Sequence, residues 1–143
     1  MFVGVDIGTS SVRCTVIDSS KKIIASSRSD LPAPENPQPG WFDQEPQLWW
    51  QAVRECLNDL SGQLPDNSLQ AIAVDGTSST VLLVDENNQP VCKGLMYNDS
   101  RASKLASELT DFIPADSITR SASSSLSKAI YLLQGKAVRQ RAH

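Results

Sequence analysis

"FVGVDIGTSSVRCTVID", residues 2–18, is an apolar run that reaches a bare carboxylate at Asp6, turns through Gly8-Thr9-Ser10, and returns as a second apolar run. Residues 2–6 and 12–18 are short and rich in Val and Ile, and Asp18-Ser19-Ser20-Lys21 leads into a third such segment, residues 22–27. β-Branched residues set between Gly, Ser and Asp turns mark strands joined by hairpins. The opening therefore predicts a three-stranded antiparallel meander, with Asp6 at the C-terminal end of its first strand.

The pattern changes after the third segment. Residues 31–40 contain Pro32, Pro34, Pro37 and Pro39; proline removes ladder donors and disfavours helix in the residue before it, so this is an extended loop. Beyond it, Leu48, Trp49, Ala52, Val53, Cys56, Leu57 and Leu60 recur at helical spacing and predict a helix from residue 45 to about 60, opened by Asp43 or Gln44. The continuous apolar run 69–74 reads as a buried strand. Residues 80–84 and 90–96 flank Asp85-Glu86-Asn87-Asn88 as a hairpin, and helices are expected over about 100–112 and 125–134. Three strands, a helix and a further strand, with the helix as crossover, is the order of a ribonuclease-H-like α/β domain with a mixed sheet, the fourth strand lying parallel to the first.

Composition narrows the function classes. The chain has 143 residues, 40% of them hydrophobic, enough for a core, and a net charge of −3 without a basic run, so neither nucleic acid nor an anionic membrane is an expected partner. No apolar stretch approaches the ~20 residues that span a bilayer, and no charged leader with an apolar h-region is visible, so a cytoplasmic protein is expected. Cys14, Cys56 and Cys92 are odd in number and lack metal-ligand spacing, and they read as reduced structural thiols. His143 is the single histidine, so a general base in this chain would have to be a carboxylate.

Two corners resemble each other. Asp6-Ile7-Gly8-Thr9-Ser10 and Asp75-Gly76-Thr77-Ser78-Ser79 each place an Asp at the end of an apolar strand, followed by glycine and hydroxyl residues. In open α/β sheets, ligands bind beyond the carboxyl ends of strands, so the two corners are expected to share a cleft. Glycine lets backbone approach a ligand closely, successive amides of a tight turn form an anion-binding concavity, and Thr and Ser hydroxyls add donors. Such a turn suits phosphate, and a carboxylate beside phosphate calls for a cation between them. Mg²⁺ prefers one or two carboxylates plus phosphate oxygens. Asp6 then reads as a ligand to metal or to sugar hydroxyls; the competing reading is that each corner is only a hairpin turn.

"GVDIGTSSVRCTVID" resembles the opening of the FGGY carbohydrate kinases of the actin-like ATPase superfamily, and "GWFDQEPQLWWQAV" resembles the segment that begins their first long helix. "IAVDGTSSTVLLVDENNQPVCKGLMYNDSRA" resembles the D-ribulose kinase branch more than the xylulose- and glycerol-kinase branches, through Asp75-Gly76-Thr77-Ser78-Ser79-Thr80 and Met96-Tyr97-Asn98-Asp99. The resemblance extends to about residue 134 and implies that residues 1–134 are the N-terminal part of the first actin-like domain, hence an incomplete one, with residues 135–143 an unassigned tail. It implies an ATP- and Mg-dependent transfer of a γ-phosphoryl group to a terminal hydroxyl of a ketopentose, D-ribulose first. Another FGGY kinase acting on xylulose or a glycerol-like polyol is the alternative, and a non-catalytic sugar- or nucleotide-binding remnant is a third reading. Asp6, Gly8, Thr9 and Ser10 match the family's phosphate and metal side, with Asp6 also facing the sugar. Ser78 matches a sugar-contacting position, with Asp75, Asp99 and Arg101 nearby. The family's proton-accepting Asp lies beyond this chain, which alone is expected to be inactive, and exposed sheet edges are expected to make it self-associate.

Overall fold

A computed structural model describes residues 1–135, 138, 140 and 142. Its elements run β1 (Phe2–Ile7), β2 (Ser11–Ile17), β3 (Ile23–Asp30), β4 (Asp43–Gln44), α1 (Pro46–Ser61), β5 (Ala71–Gly76), β6 (Gly94–Leu95), α2 (Ser103–Glu108) and α3 (Ser125–Gln134). The chain forms two compact units, Met1–Ala33 with Gln47–Thr77, and Pro34–Pro46 with Ser78–His143.

The first unit is the sheet that the opening residues predict. Its order is β3-β2-β1-β5, with β1 antiparallel to β2, β2 antiparallel to β3, and β1 parallel to β5. Strand alternation puts Val3 and Val5 on the inner face and Gly4 and Asp6 on the outer one. Val3, Val5, Val12, Cys14 and Val16 form one core cluster with Ala52, Val53, Cys56 and Leu60 of α1. Each large apolar side chain in it contributes about 1.5–3 kcal/mol by leaving water. Pro46 occupies the first helical position, where its missing N–H costs no hydrogen bond. Trp49 packs against the core, whereas Trp50 is exposed.

The apolar run around β5 reads as a buried strand, yet all six residues of β5 are exposed, Val74 by 64%. The reason is position rather than composition: β5 is the outer strand of its sheet, and whether a strand is covered depends on what packs on it, which its own sequence does not carry.

The second unit is built mostly from turns. The ladder of β4 with β6 pairs Asp43 with Leu95 and Gln44 with Gly94. The hairpin expected over 80–84 and 90–96 is reduced to bridges, Val81 to Leu95 and Val84 to Pro90, because Pro90 has no amide to donate. Asp85 closes its tip by accepting from the amides of Asn87 and Gln89. The helix expected over 100–112 is shorter, ending at Glu108 and continuing as a 3₁₀ turn over Thr110–Phe112. Ser124 caps α3 by accepting from the Ser127 amide. Leu95, Met96, Ala102, Ala106 and Leu132 are buried. The tail over 135–143 lies largely outside the described residues. Among the described residues no helix is long and apolar enough to cross a membrane.

Candidate functional site

In the first unit, parallel pairing places Asp6 and Asp75 side by side at the C-terminal ends of β1 and β5. Neighbouring strands lie about 4.8 Å apart and paired residues share a face, so the two carboxylates stand together on the face opposite α1. On the other side of Asp6, the antiparallel register brings Arg13, whose guanidinium lies 3.5 Å from the carboxylate, both side chains about half exposed. Asp6, Arg13 and Asp75, with Gly4, Thr15 and Ala73, line an open groove of about 360 Å³. Asp75 also accepts from the Gly76 amide at 2.8 Å, which fixes the rotamer of its carboxylate.

The turn between β1 and β2 is closed by the Gly8 amide donating to the Ser11 carbonyl at 3.0 Å, and the Ser10 carbonyl accepts from the Leu31 amide at 2.8 Å. A Cβ on Gly8 would stand 3.1 Å from the Ser11 oxygen, a tight contact that favours glycine at this turn. This Gly8 amide is spent inside the hairpin, which leaves Thr9 and the exposed Ser10 as the outward part of the turn. Thr77 donates from its amide to the Ile7 carbonyl at 3.2 Å, tying the second corner to the end of β1.

The second unit holds Ser78, Asp99 and Arg101. Ser78 is exposed in a turn. Asp99 has 0% of its side chain exposed and Arg101 has 8%. The Asp99 carboxylate accepts from the Phe42 amide at 2.7 Å and from the Arg101 amide, Nε and Nη2, while Arg101 also pairs with Asp43. The guanidinium sits 4.3 Å over the Trp41 ring, and Tyr131 meets that ring edge-on. Burial pulls the guanidinium down, but the Asp99 hydrogen bonds and the charges of Asp99 and Asp43 outweigh it and hold Arg101 above its ordinary value. Asp99 and Arg101 thus grip each other and the Trp41 loop.

Two features of this unit escape a reading of the sequence. Ser79, Thr119, Ser121, Ser123, Ser124 and Ser125 line a pocket of about 410 Å³ together with Ile118 and Leu126; its lining is hydroxyl-rich and uncharged, which suits a neutral polyhydroxy ligand. Lys128 is completely buried and donates to the carbonyls of Ser79, Met96 and Tyr97. Burial pushes its ammonium below the usual lysine range, the Asp99 charge opposing and Arg101 adding to the shift. The available signal was a lysine four residues before Leu132, on the same face of α3 as that buried leucine.

Residues 1–129 match the FGGY family of carbohydrate kinases, N-terminal domain. The chain belongs to this family. It is 31% identical over 111 residues to the xylulose kinase of Lactococcus lactis, covering 76% of this chain and 22% of that protein. It is 28% identical over 111 residues to the glycerol kinase of Aquifex aeolicus, covering 77% of this chain and 22% of that one. The FGGY segment superposes on the structure of a xyloylose kinase from Brucella ovis with a TM-score of 0.87 at 24% identity, over 98% of this chain and 30% of the other, and on a ligand-bound xylulose kinase from Lactobacillus acidophilus with a TM-score of 0.83 at 19% identity, over 99% and 30%. These likenesses bear out the actin-like ATPase fold. The chain spans about a fifth of the length of the curated relatives it matches.

Among the described residues no group of three or more His, Cys, Asp or Glu side chains could hold a metal ion. Asp6 and Asp75 are two carboxylates at paired positions, and one or two carboxylates with water and phosphate oxygens is the kind of donor set Mg²⁺ takes.

Proposed function

We propose that this chain is the N-terminal part of an ATP-dependent sugar kinase that phosphorylates a terminal hydroxyl of a ketopentose. The observation that carries the reading is the side-by-side placement of Asp6 and Asp75 at the carboxyl ends of two parallel strands, in a segment of FGGY type. Asp6, with Asp75 beside it, would hold Mg²⁺ or accept sugar hydroxyls. Thr9 and Ser10 give hydroxyls, and the Gly8 turn close backbone approach, to the phosphates. Mg²⁺, when bound, supplies charge neutralisation for the transferring phosphoryl group. Ser78 and the hydroxyl-lined pocket supply neutral donors and acceptors to the sugar. Asp99 and Arg101 act on the sugar through the Trp41 loop and the Met96–Asn98 corner that they brace, since their own polar atoms are engaged with each other.

D-Ribulose is the first substrate on the Asp75-to-Thr80 and Met96-to-Asp99 resemblance; D-xylulose and glycerol are supported by the named relatives. Calorimetric titration of the chain with D-ribulose, D-xylulose, glycerol and Mg-ATP tests the proposal. Saturable sugar heats that Ser78→Ala weakens, with a pentulose binding more tightly than glycerol, support it. A chain that is folded by circular dichroism yet binds no sugar and no Mg-ATP contradicts it.

A further inference from the structure

Lys128 presents an unusual economy of charge. Its ammonium is wholly buried, and it donates to three backbone carbonyls, Met96 at 2.7 Å, Ser79 at 2.9 Å and Tyr97 at 3.2 Å. Among the described residues no carboxylate lies within ion-pair distance of it. Burying an ammonium without a counter-ion is costly, and a residue needed only to fill space at that position would be Leu or Met. What the charge accomplishes is to gather the Ser79, Met96 and Tyr97 carbonyls at one point, beside the Val81–Leu95 bridge that already joins the two segments.

The second observation is backbone conformation. Ser79 has φ of 60°, in the left-handed region that a residue with a Cβ occupies at a cost, and its carbonyl is one of the three that Lys128 holds. Ser79 forms one wall of the hydroxyl-lined pocket, and Ser124 and Ser125 at the start of α3 form the other. Lys128 projects from that same helix. Its side chain therefore connects α3, which carries Ser124 and Ser125 at its start, to the Ser79 carbonyl.

We propose that Lys128 is a positioning residue for a polyhydroxy ligand: by holding the Ser79, Met96 and Tyr97 carbonyls from α3, it fixes the Ser78–Ser79 turn and the width of the hydroxyl-lined pocket. The inference rests on the reading of that pocket as the sugar side of the protein. The test compares the wild-type chain with Lys128→Met, nearly isosteric and uncharged, and with Leu132→Ala, one turn further along α3 and outside the pocket wall. Backbone chemical shifts of Ser79 report its conformation directly. In Lys128→Met they move from left-handed to right-handed values, and D-ribulose or D-xylulose binds about tenfold or more weakly, the scale of lost hydrogen bonds to a charged group. In Leu132→Ala the Ser79 shifts stay in place although the unit is destabilised.

Lys128→Ala supplies a second arm, because n-propylammonium has the size and charge of the deleted atoms. Added n-propylammonium restores the Ser79 shifts, while propanol does not, and this arm decides the matter even where Lys128→Met fails to fold. Ser79 shifts unaltered in Lys128→Met, equal movement in Leu132→Ala, or no difference between n-propylammonium and propanol would each overturn the proposal. Absence of sugar binding to the wild-type chain would remove the sugar reading, while the Ser79 shifts still decide the role of Lys128.

Discussion

Removing the Asp99 carboxylate should cost the second unit more stability than any exposed charge in the chain. Asp99 is fully buried, and Asp99→Ala would orphan the Phe42 amide and leave Arg101 facing only Asp43. An unsatisfied buried amide costs about 1–3 kcal/mol, and breaking a buried ion pair from one side about 3–5 kcal/mol. The two overlap through the shared carboxylate, so about 4 kcal/mol is expected. Asp99→Asn keeps an acceptor for Phe42 but loses the charge, and about 2–3 kcal/mol is expected, the range of a hydrogen bond to a charged group. Lys93→Ala, which deletes exposed ion pairs to Glu35 and Glu45, should stay within about 1 kcal/mol. Urea unfolding followed by Trp41 fluorescence measures all three, in a background where Trp49 and Trp50 are Phe so that Trp41 reports its own unit. Asp99→Ala within 1 kcal/mol of its parent, or indistinguishable from Lys93→Ala, would refute the bracing role and return Asp99 to the set of direct sugar contacts.

Gly40 has φ of 80°, and a Cβ there would lie 2.6 Å from the Ser100 Oγ, so Gly40→Ala should destabilise the second unit by more than the ~1 kcal/mol of an ordinary left-handed penalty; a thermal melt within a degree of the parent would contradict this. Burial, with the Cys56 thiol adding, raises the Cys14 thiol from 9.0 to about 11. The unfolded chain then loses this proton first, so the stability that Cys14 contributes is intact below pH 9 and is lost as pH rises towards 11, about 2–3 kcal/mol in all. Urea midpoints in that window should fall less steeply for Cys14→Ala. The uncovered β5 strand, with Ile72 and Val74 exposed, should template association. Ile72→Lys should therefore lower the sedimentation-average mass and hydrophobic-dye binding at high concentration, and a monomeric parent that binds no dye would contradict this.

Much of the first unit is legible in the sequence because local pattern and tertiary placement agree there. Val3, Val5, Val12, Cys14 and Val16 alternate as strands must when one face is covered, and α1 carries its buried face at helical spacing. Asp6 and Asp75 come together because the topology that follows from three strands and a crossover helix requires it. The exposure of β5 was not legible, since an apolar strand looks the same with or without a cover. Nor was the ladder of β4 with β6, which is two residues long and has no periodicity to read. Asp99 and Arg101 are two residues apart in sequence, but their partners Phe42 and Asp43 are more than fifty residues away, and only the folded loop reveals that the pair faces inward. Lys128 was missed because a lone lysine in a helix is read as solvated, and three carbonyls leave no mark in sequence.

Asp6 is the residue on which the kinase reading depends most directly. A chimera in which residues 1–129 replace the matching segment of the Lactococcus lactis xylulose kinase allows turnover to be measured with the remainder of a kinase present. In it, Asp6→Asn keeps side-chain size and strand register while removing the charge. A fall in kcat on the order of a hundredfold is expected, as for loss of a group that stabilises charge in the transition state, with a smaller change in the sugar KM. An active chimera whose Asp6→Asn form turns over at the parental rate would contradict it, and would leave Asp6-Ile7-Gly8-Thr9 a hairpin turn and nothing more.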